Sequence, residues 1–467
     1  MANDVTYQRE DYQQALKTWR KAADVIAGAD AVKRGGILYL PRTNPRDQTA
    51  EATARYDAYR MRATFVPIAS RTLKSLIGAA FRKDPVLVNP SQIDYIADDV
   101  DGEGNSIYQQ SQRAMSDIAS KGRCFLLVDY PQAGEGVSVA DLANVRATIT
   151  RFDPESVINW RVSKIGAMSR LSLVVIMEQV EVDDGFGIDL EKRYRVLQLV
   201  DGVYTVTVYD ETGDIYAEVV QPRDAAGRLW NEIPGMFIGA ENNDTSIDPA
   251  PLEDIIGMNL DHYLKYADWC KSLHFTANPQ PTVTGIDQEW RDYIEEKGMM
   301  IGSDAVLLLP QGADFKWAQI NSSQAHVGEL DRVRDYMVSL GARLLEKGGA
   351  AMTATQSRAE NAAEYSVLAL MAANVSEAYT RCLNWMARFM GGSETASYEI
   401  SREYAESELD PAMLAAVVSA WQSGTVAKSD AREYMRRVGF IDSSRTDEDI
   451  EAEVAGETQG LALDANA

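Results

Sequence analysis

The stretch PLEDIIGMNLDHYLKYADWCKSLHF, residues 251–275, carries a strong helical period. Leu252, Ile255, Ile256, Asn259, Leu260, Tyr263, Leu264, Ala267, Cys270 and Leu273 recur at three and four, while Glu253, Asp261, Lys265 and Asp268 take the other side. The spacing predicts one helix of about 24 residues, roughly 36 Å long. Asn278, Pro279 and Pro281 stop it. A short module of strand and helix patterns follows (PTVTG, QEWRDYIEEKG, AVLLLP and FKWAQI), and then a second long helix over about 323–346. The segment LLEKGGAAMTATQSRAENAAEYSVLALM, residues 344–371, ends that helix in a glycine pair and a run of small residues. A third helix is expected over about 356–390. Connections between helices are usually tight and polar, so a pliable loop here points to a task beyond closing a turn.

Upstream, residues 8–27 show a helical period through Tyr12, Leu16, Trp19, Ala23 and Ile26, and two more helices are expected between about 47 and 83. Residues 86–250 change character. A helix near 106–121 precedes the continuous apolar run CFLLVDYP, typical of a buried strand. Further β-rich runs follow, with turn signals at Asp-Gly and Thr-Gly-Asp. The N-terminal half therefore reads as α+β. The last 65 or so residues read as a strand (SYEIS), two or three short helices and an acidic tail.

Composition narrows the function classes. The chain has 467 residues, 45% of them apolar and 25% charged, enough for a substantial core. No run approaches the length of apolar residues that spans a membrane. The N-terminus lacks a basic-then-apolar signal pattern, so a cytosolic origin is expected. Cys124, Cys270 and Cys382 form no C-x-x-C pair and read as buried thiols. A formal net charge of -24 argues against tight nucleic-acid binding, which rests on phosphate neutralisation by Lys and Arg.

Catalytic motifs are not found. There is no Walker-type phosphate cradle, G-x-S-x-G, H-E-x-x-H or kinase signature. His262 and His274 lie twelve apart, without the spacing of a metal pair, and His326 opens a solvated helix. ADDVDGEGNSIY, residues 97–108, places Asp99 and Asp101 before Gly102 as a calcium loop does. Ala97 and Tyr108 then occupy its first and twelfth ligand positions, so a turn leading into a helix is the better reading. Neither a metal nor a cofactor is expected, and no enzyme class gains support. Lys265, Lys271, Arg332, Arg334 and Arg343 on the two long helices are the more suggestive group, although surface charge paired with neighbours such as Asp261, Asp331 and Asp335 explains each singly.

Five segments in this order, FRKDP, DVDGEGNSIY, CFLLVDYP, ESVINWR and NLDHYLKYADWCKSLHFTANPQPTVTG, resemble the portal proteins of tailed bacteriophages, in particular a portal-like domain family of unknown function. The resemblance runs from about residue 35 to 390. It implies a portal-type α+β fold: a mixed α/β wing (1–250), two long stem helices (251–277 and 323–347) bracketing a small α/β clip (278–322), a tunnel loop (348–357), a long wing helix and strand (358–400) and a helical C-terminal crown (401–467). Portal proteins form a homo-oligomeric ring, usually of twelve subunits, at one capsid vertex. The ring is a conduit for double-stranded DNA during genome packaging and ejection and a docking site for the terminase large subunit and the head–tail adaptor.

The resemblance also implies where function sits. Lys347, Gly348, Gly349, Met352 and Thr353 belong to the tunnel loop, whose glycines would let each copy follow a moving duplex. The five stem cations become candidates for weak, sequence-blind DNA contacts in an otherwise repelling channel. Ile256, Leu260, Tyr263 and Leu264 are expected to be covered by neighbouring stem helices. Trp290, Tyr293, Phe315 and Trp317 are expected to form a partner surface on the clip. From residue 394 onward, 16 acids stand against 6 Lys and Arg, which would hold packaged DNA off the crown. Major capsid and scaffold proteins are further implied partners. The implied location is the virion, after assembly in the host cytoplasm, with no membrane involved. Competing readings are another ring-forming head–tail connector or adaptor and a nucleic-acid-processing enzyme with an unrecognised site.

Overall fold

The computed structural model describes residues 4–42, 44–130, 146–183, 185–277, 280–298, 309–318, 324–343, 367–393, 395–401, 411–437, 440–441, 445–451 and 453. The chain divides into two compact units, Met1–Arg402 and Glu403–Ala467. The first is a mixed α+β body. It opens with α1 (Glu10–Ala27), α2 (Ala29–Arg34), α3 (Ala50–Arg62) and α4 (Ile68–Ala80), the last two matching the helices expected between 47 and 83. Along α1 the buried face is Tyr12, Trp19, Ala22 and Val25. The sequence pattern placed Ala23 and Ile26 on that face, whereas Ala23 is exposed. Trp19 settles the rotation, because its indole N–H donates to the Lys121 carbonyl at 2.8 Å.

A three-stranded antiparallel sheet forms the centre, with β2 (Arg123–Asp129) between β3 (Thr148–Phe152) and β9 (Gly235–Gly239). Six of the seven β2 residues are buried, which is why CFLLV reads as an unbroken apolar run. Helix α5 (Ile107–Lys121) starts from a capping box of Ser106 and Gln109 and leads into β2 through Gly122. Gly122 has φ 82°, and a Cβ there would lie 2.0 Å from the Asp248 carbonyl oxygen, so only glycine makes this close turn. Arg123 is buried between the rings of Trp160 (4.4 Å) and Phe237 (3.9 Å). Its pKa is pushed down to about 10 by burial.

The long helix α9 (Val367–Phe389) packs on α5, β2 and β9 and is buried along most of its length. Asn374 donates to the Gly239 carbonyl at 3.0 Å, and Phe389 stacks on Trp230 at 4.0 Å. Thr380 and Asn384 hold the approach and start of β12 (Ser397–Glu399), which pairs with β1 (Val86–Val88). A five-stranded antiparallel meander, β4 (Val157–Ile165), β5 (Met168–Asp183), β6 (Ile188–Val200), β7 (Val203–Tyr209) and β8 (Ile215–Val220), completes this part. The β6–β7 turn is the expected Asp-Gly, with positive φ at both Asp201 and Gly202. The second unit contains α10 (Pro411–Gln422) and α11 (Lys428–Arg437).

Candidate functional site

Residues 251–275 form α6 (Glu253–Ala277), and the second long helix is α8 (Gln324–Arg343). Glu253 and Asp254 in the first turn of α6 complement the helix dipole. The two helices run antiparallel. Met258 packs against Val333 and Met337 at one end, and Lys265 pairs with Glu329 nearer the other. Between them in sequence sits the small module, β10 (Gln280–Thr284) paired antiparallel with β11 (Asp314–Ala318), with α7 (Gln288–Lys297) in the connection.

The pair is docked on the body through α1, α3 and α4. Pro67 at the start of α4 offers no side-chain cap, and Asn259 of α6 supplies one. Its Oδ1 accepts from the Ala69 N–H at 3.0 Å and its Nδ2 donates to the Val66 carbonyl at 2.8 Å. An orphan donor at a helix N-terminus is thereby satisfied from another helix. Tyr59 of α3 donates to Asp268 at 2.7 Å, and Phe65 meets Tyr263 edge-on at 5.8 Å. Gly341 lets α8 approach α4, since a Cβ there would come within 2.8 Å of Thr72.

This docking corrects the expectation for the stem apolar stripe. Ile256 is 1% and Tyr263 0% exposed, both inside the chain's own core, so no neighbour is needed to cover them. The pattern correctly gave an apolar face, but α1, α3, α4 and α8 already fill it. Leu260 and Leu264 are half-buried. Beyond Ala267 none of the described side chains on α6 is buried, and Leu273 is 37% exposed. On the module Trp317 and Tyr293 are about half exposed, at 51% and 48%, and Trp290 and Phe315 are half-buried. Trp290 packs edge-on to Tyr293, and Phe315 to Trp317.

Most of the candidate cations are neutralised within the chain. Lys265 bridges Asp261 (2.8 Å) and Glu329 (3.0 Å); Arg332 pairs with Glu329 (2.8 Å) and Arg334 with Asp331 (3.1 Å). Hydrogen bonds from Arg332 and then Lys265 pull the Glu329 pKa down to about 2. Lys271 lies with its Nζ 5.3 Å from the Tyr59 ring centre. Arg343 is the last residue of α8, and its side chain lies outside the described set. Lys347, Gly348, Gly349, Met352 and Thr353 all lie outside the described residues, as does Leu307 with Leu308 in the module.

Two features escaped the sequence reading. His262 is buried against α8, its ring stacked on Tyr266 and its Nδ1 without a hydrogen-bond partner among the described residues. Position 262 alternates with Asn259 and Tyr266 on the inner face, a signal that the focus on metal spacing passed over. The second is a cationic pocket where α3 meets α6, formed in part by the arginine-rich run at residues 42–62. Among the described residues no helix is long and apolar enough to cross a membrane, and no group of three His, Cys, Asp or Glu is placed to hold a metal ion. The Asp99–Asp101 loop is a turn: Asp99 accepts from the Gly102 and Gly104 N–H groups and pairs with Arg146.

Residues 251–390, from the first turn of α6 to the end of α9, match a family described as a domain of unknown function, DUF4055. No curated protein sequence matches the chain. Among solved structures, it is similar to a chain from the neck of an empty GTA particle computed with C6 symmetry. The identity is 17% and the TM-score 0.39, covering 81% of this chain and 92% of that one. A chain from the neck of a native GTA particle, computed with C12 symmetry, is 16% identical with a TM-score of 0.38, covering 86% and 98%.

Proposed function

We propose that this chain is a portal subunit: one copy of a closed ring at a capsid vertex through which double-stranded DNA passes, with the terminase and the head–tail adaptor docking on the module between α6 and α8. The reading is non-enzymatic, and ATP hydrolysis falls to the separate terminase. The observation that carries it is the antiparallel α6–α8 pair with the β10–α7–β11 module between its ends. Its near half is anchored in the body and its far half carries half-covered aromatic and aliphatic side chains. That far half contributes little to a monomer's core and gives copies something to pack against. Mutual neutralisation of Lys265, Arg332 and Arg334 by acids also suits a surface along which a duplex must slide, because it offers few strong phosphate contacts. Lys347, Gly348, Gly349, Met352 and Thr353 are assigned to the loop that contacts the moving duplex. Electron microscopy of the purified protein tests the reading. Closed rings with a central channel wide enough for a duplex are expected; particles without a through-channel would overturn it.

A further inference from the structure

The chain is acidic overall, with 70 Asp and Glu against 46 Lys and Arg, yet residues 42–62 reverse that balance. Five arginines there (Arg42, Arg46, Arg55, Arg60 and Arg62) face three acids, Asp47, Glu51 and Asp57. Helix α3 and the segment before it bring Arg55, Arg62 and Arg42 together with Lys271 of α6 around a cavity of about 300 Å³ that Tyr56 and Tyr59 also line. The carboxylate in the lining is Asp47, already engaged by Thr49 at 2.8 Å and Arg55 at 3.2 Å. Asp57 is taken by Arg60, and Asp268 accepts from Tyr59. Arg42 is held over Tyr56 at 5.3 Å by bonds of only 3.4 and 3.5 Å to the Asp47 backbone carbonyl and the Thr53 hydroxyl, so its guanidinium keeps most of its donor capacity. Arg62 is exposed and has no ion pair among the described residues.

We infer that this pocket binds phosphate groups of a nucleic-acid backbone. Planar guanidinium forks converging on one cavity suit a phosphate, which they grip through paired hydrogen bonds. Both tyrosine rings are 8% exposed and so cannot stack on bases. Recognition is therefore of the backbone and blind to sequence. Its setting, a duplex running past the α3–α6 junction, rests on the conduit reading; the binding itself does not.

Fluorescence anisotropy of a labelled duplex oligonucleotide with the full chain at low salt tests it, with inorganic phosphate and poly-glutamate as competitors. The variants are Arg62→Gln, which removes no ion pair seen among the described residues, and Arg42→Gln/Arg62→Gln. The double variant should bind about tenfold more weakly. Its salt dependence should flatten by about 1 per arginine lost, with thermal unfolding unchanged in Arg62→Gln. Inorganic phosphate should compete weakly. Unaltered affinity and salt slope in both variants would overturn the assignment, as would poly-glutamate outcompeting duplex DNA, which would make the pocket a dock for an acidic protein. Wild-type protein that binds no duplex also overturns it, and rings in the same sample would leave the conduit reading standing.

Discussion

Helix α6 has two halves with the same amphipathic pattern and opposite surroundings. From Leu252 to Ala267 it buries Leu252, Ile255, Ile256, Tyr263 and Ala267 among α1, α3, α4 and α8, with Asn259 capping α4 and Tyr263 against Phe65. From Asp268 to Ala277 none of the described side chains is buried, and Trp269, Cys270 and Leu273 stay partly open. Periodicity reports that a face is apolar; it does not report what covers it. The near half serves the stability of the subunit, and the far half is available to something outside it.

The largest contrast should come from a charge placed on each half. Ile256→Asp buries an unpaired carboxylate and should cost about 3–5 kcal/mol, enough to threaten the whole body. Leu273→Asp should leave the subunit within about 0.5 kcal/mol of wild type, as surface substitutions do, yet reduce ring yield. Denaturant unfolding and particle counts on both variants check this. Equal loss of stability in the two would erase the distinction between the halves.

A smaller effect is expected at the joint between α6 and α4. Asn259→Ala leaves the Ala69 N–H without its partner and removes one of the two donors to the Val66 carbonyl, which keeps the Ile68 N–H. The expected cost is about 1–3 kcal/mol, read as a lower denaturation midpoint. An unchanged midpoint would mean that α4 is capped by other means and that the near half is less firmly anchored than its burial suggests.

Much of this was legible in the residues. The uninterrupted three-and-four spacing of 251–273 gave α6 to within a few residues, and CFLLV gave the central strand because a strand covered on both faces needs no alternation. The β6–β7 turn was legible because Asp-Gly suits its two positive φ angles. What failed was assigning the partner of an apolar face. Ile256 and Tyr263 look like any exposed stripe until α3 and α4, some 200 residues earlier, are seen packed on them. The cationic pocket was hidden for the same reason: Lys271 joins Arg42, Arg55 and Arg62 only through the α3–α6 contact.

The smallest expected effect is pH-dependent and again concerns the near half. Burial, with Arg334 of α8 and Lys265 nearby, lowers the His262 pKa against the pull of Asp261 and Asp331. The unfolded chain therefore takes up this proton more readily than the folded one. The resulting stability is intact above the ordinary histidine value of about 6.5 and is lost as pH falls below it. Between pH 7 and 5 the His262→Gln variant should lose less stability than wild type. Identical pH profiles would show that His262 is not held neutral between α6 and α8.

The claim beneath all of this is that the far half of the α6–α8 pair and its module are covered by further copies of the same chain. Native mass measurement of the full-length protein tests it most directly. A discrete, closed multiple of the 51.6 kDa chain is predicted for wild type, with Leu273→Asp shifted toward single chains that remain folded. Wild-type protein that stays at the mass of one chain across concentration and salt would contradict it.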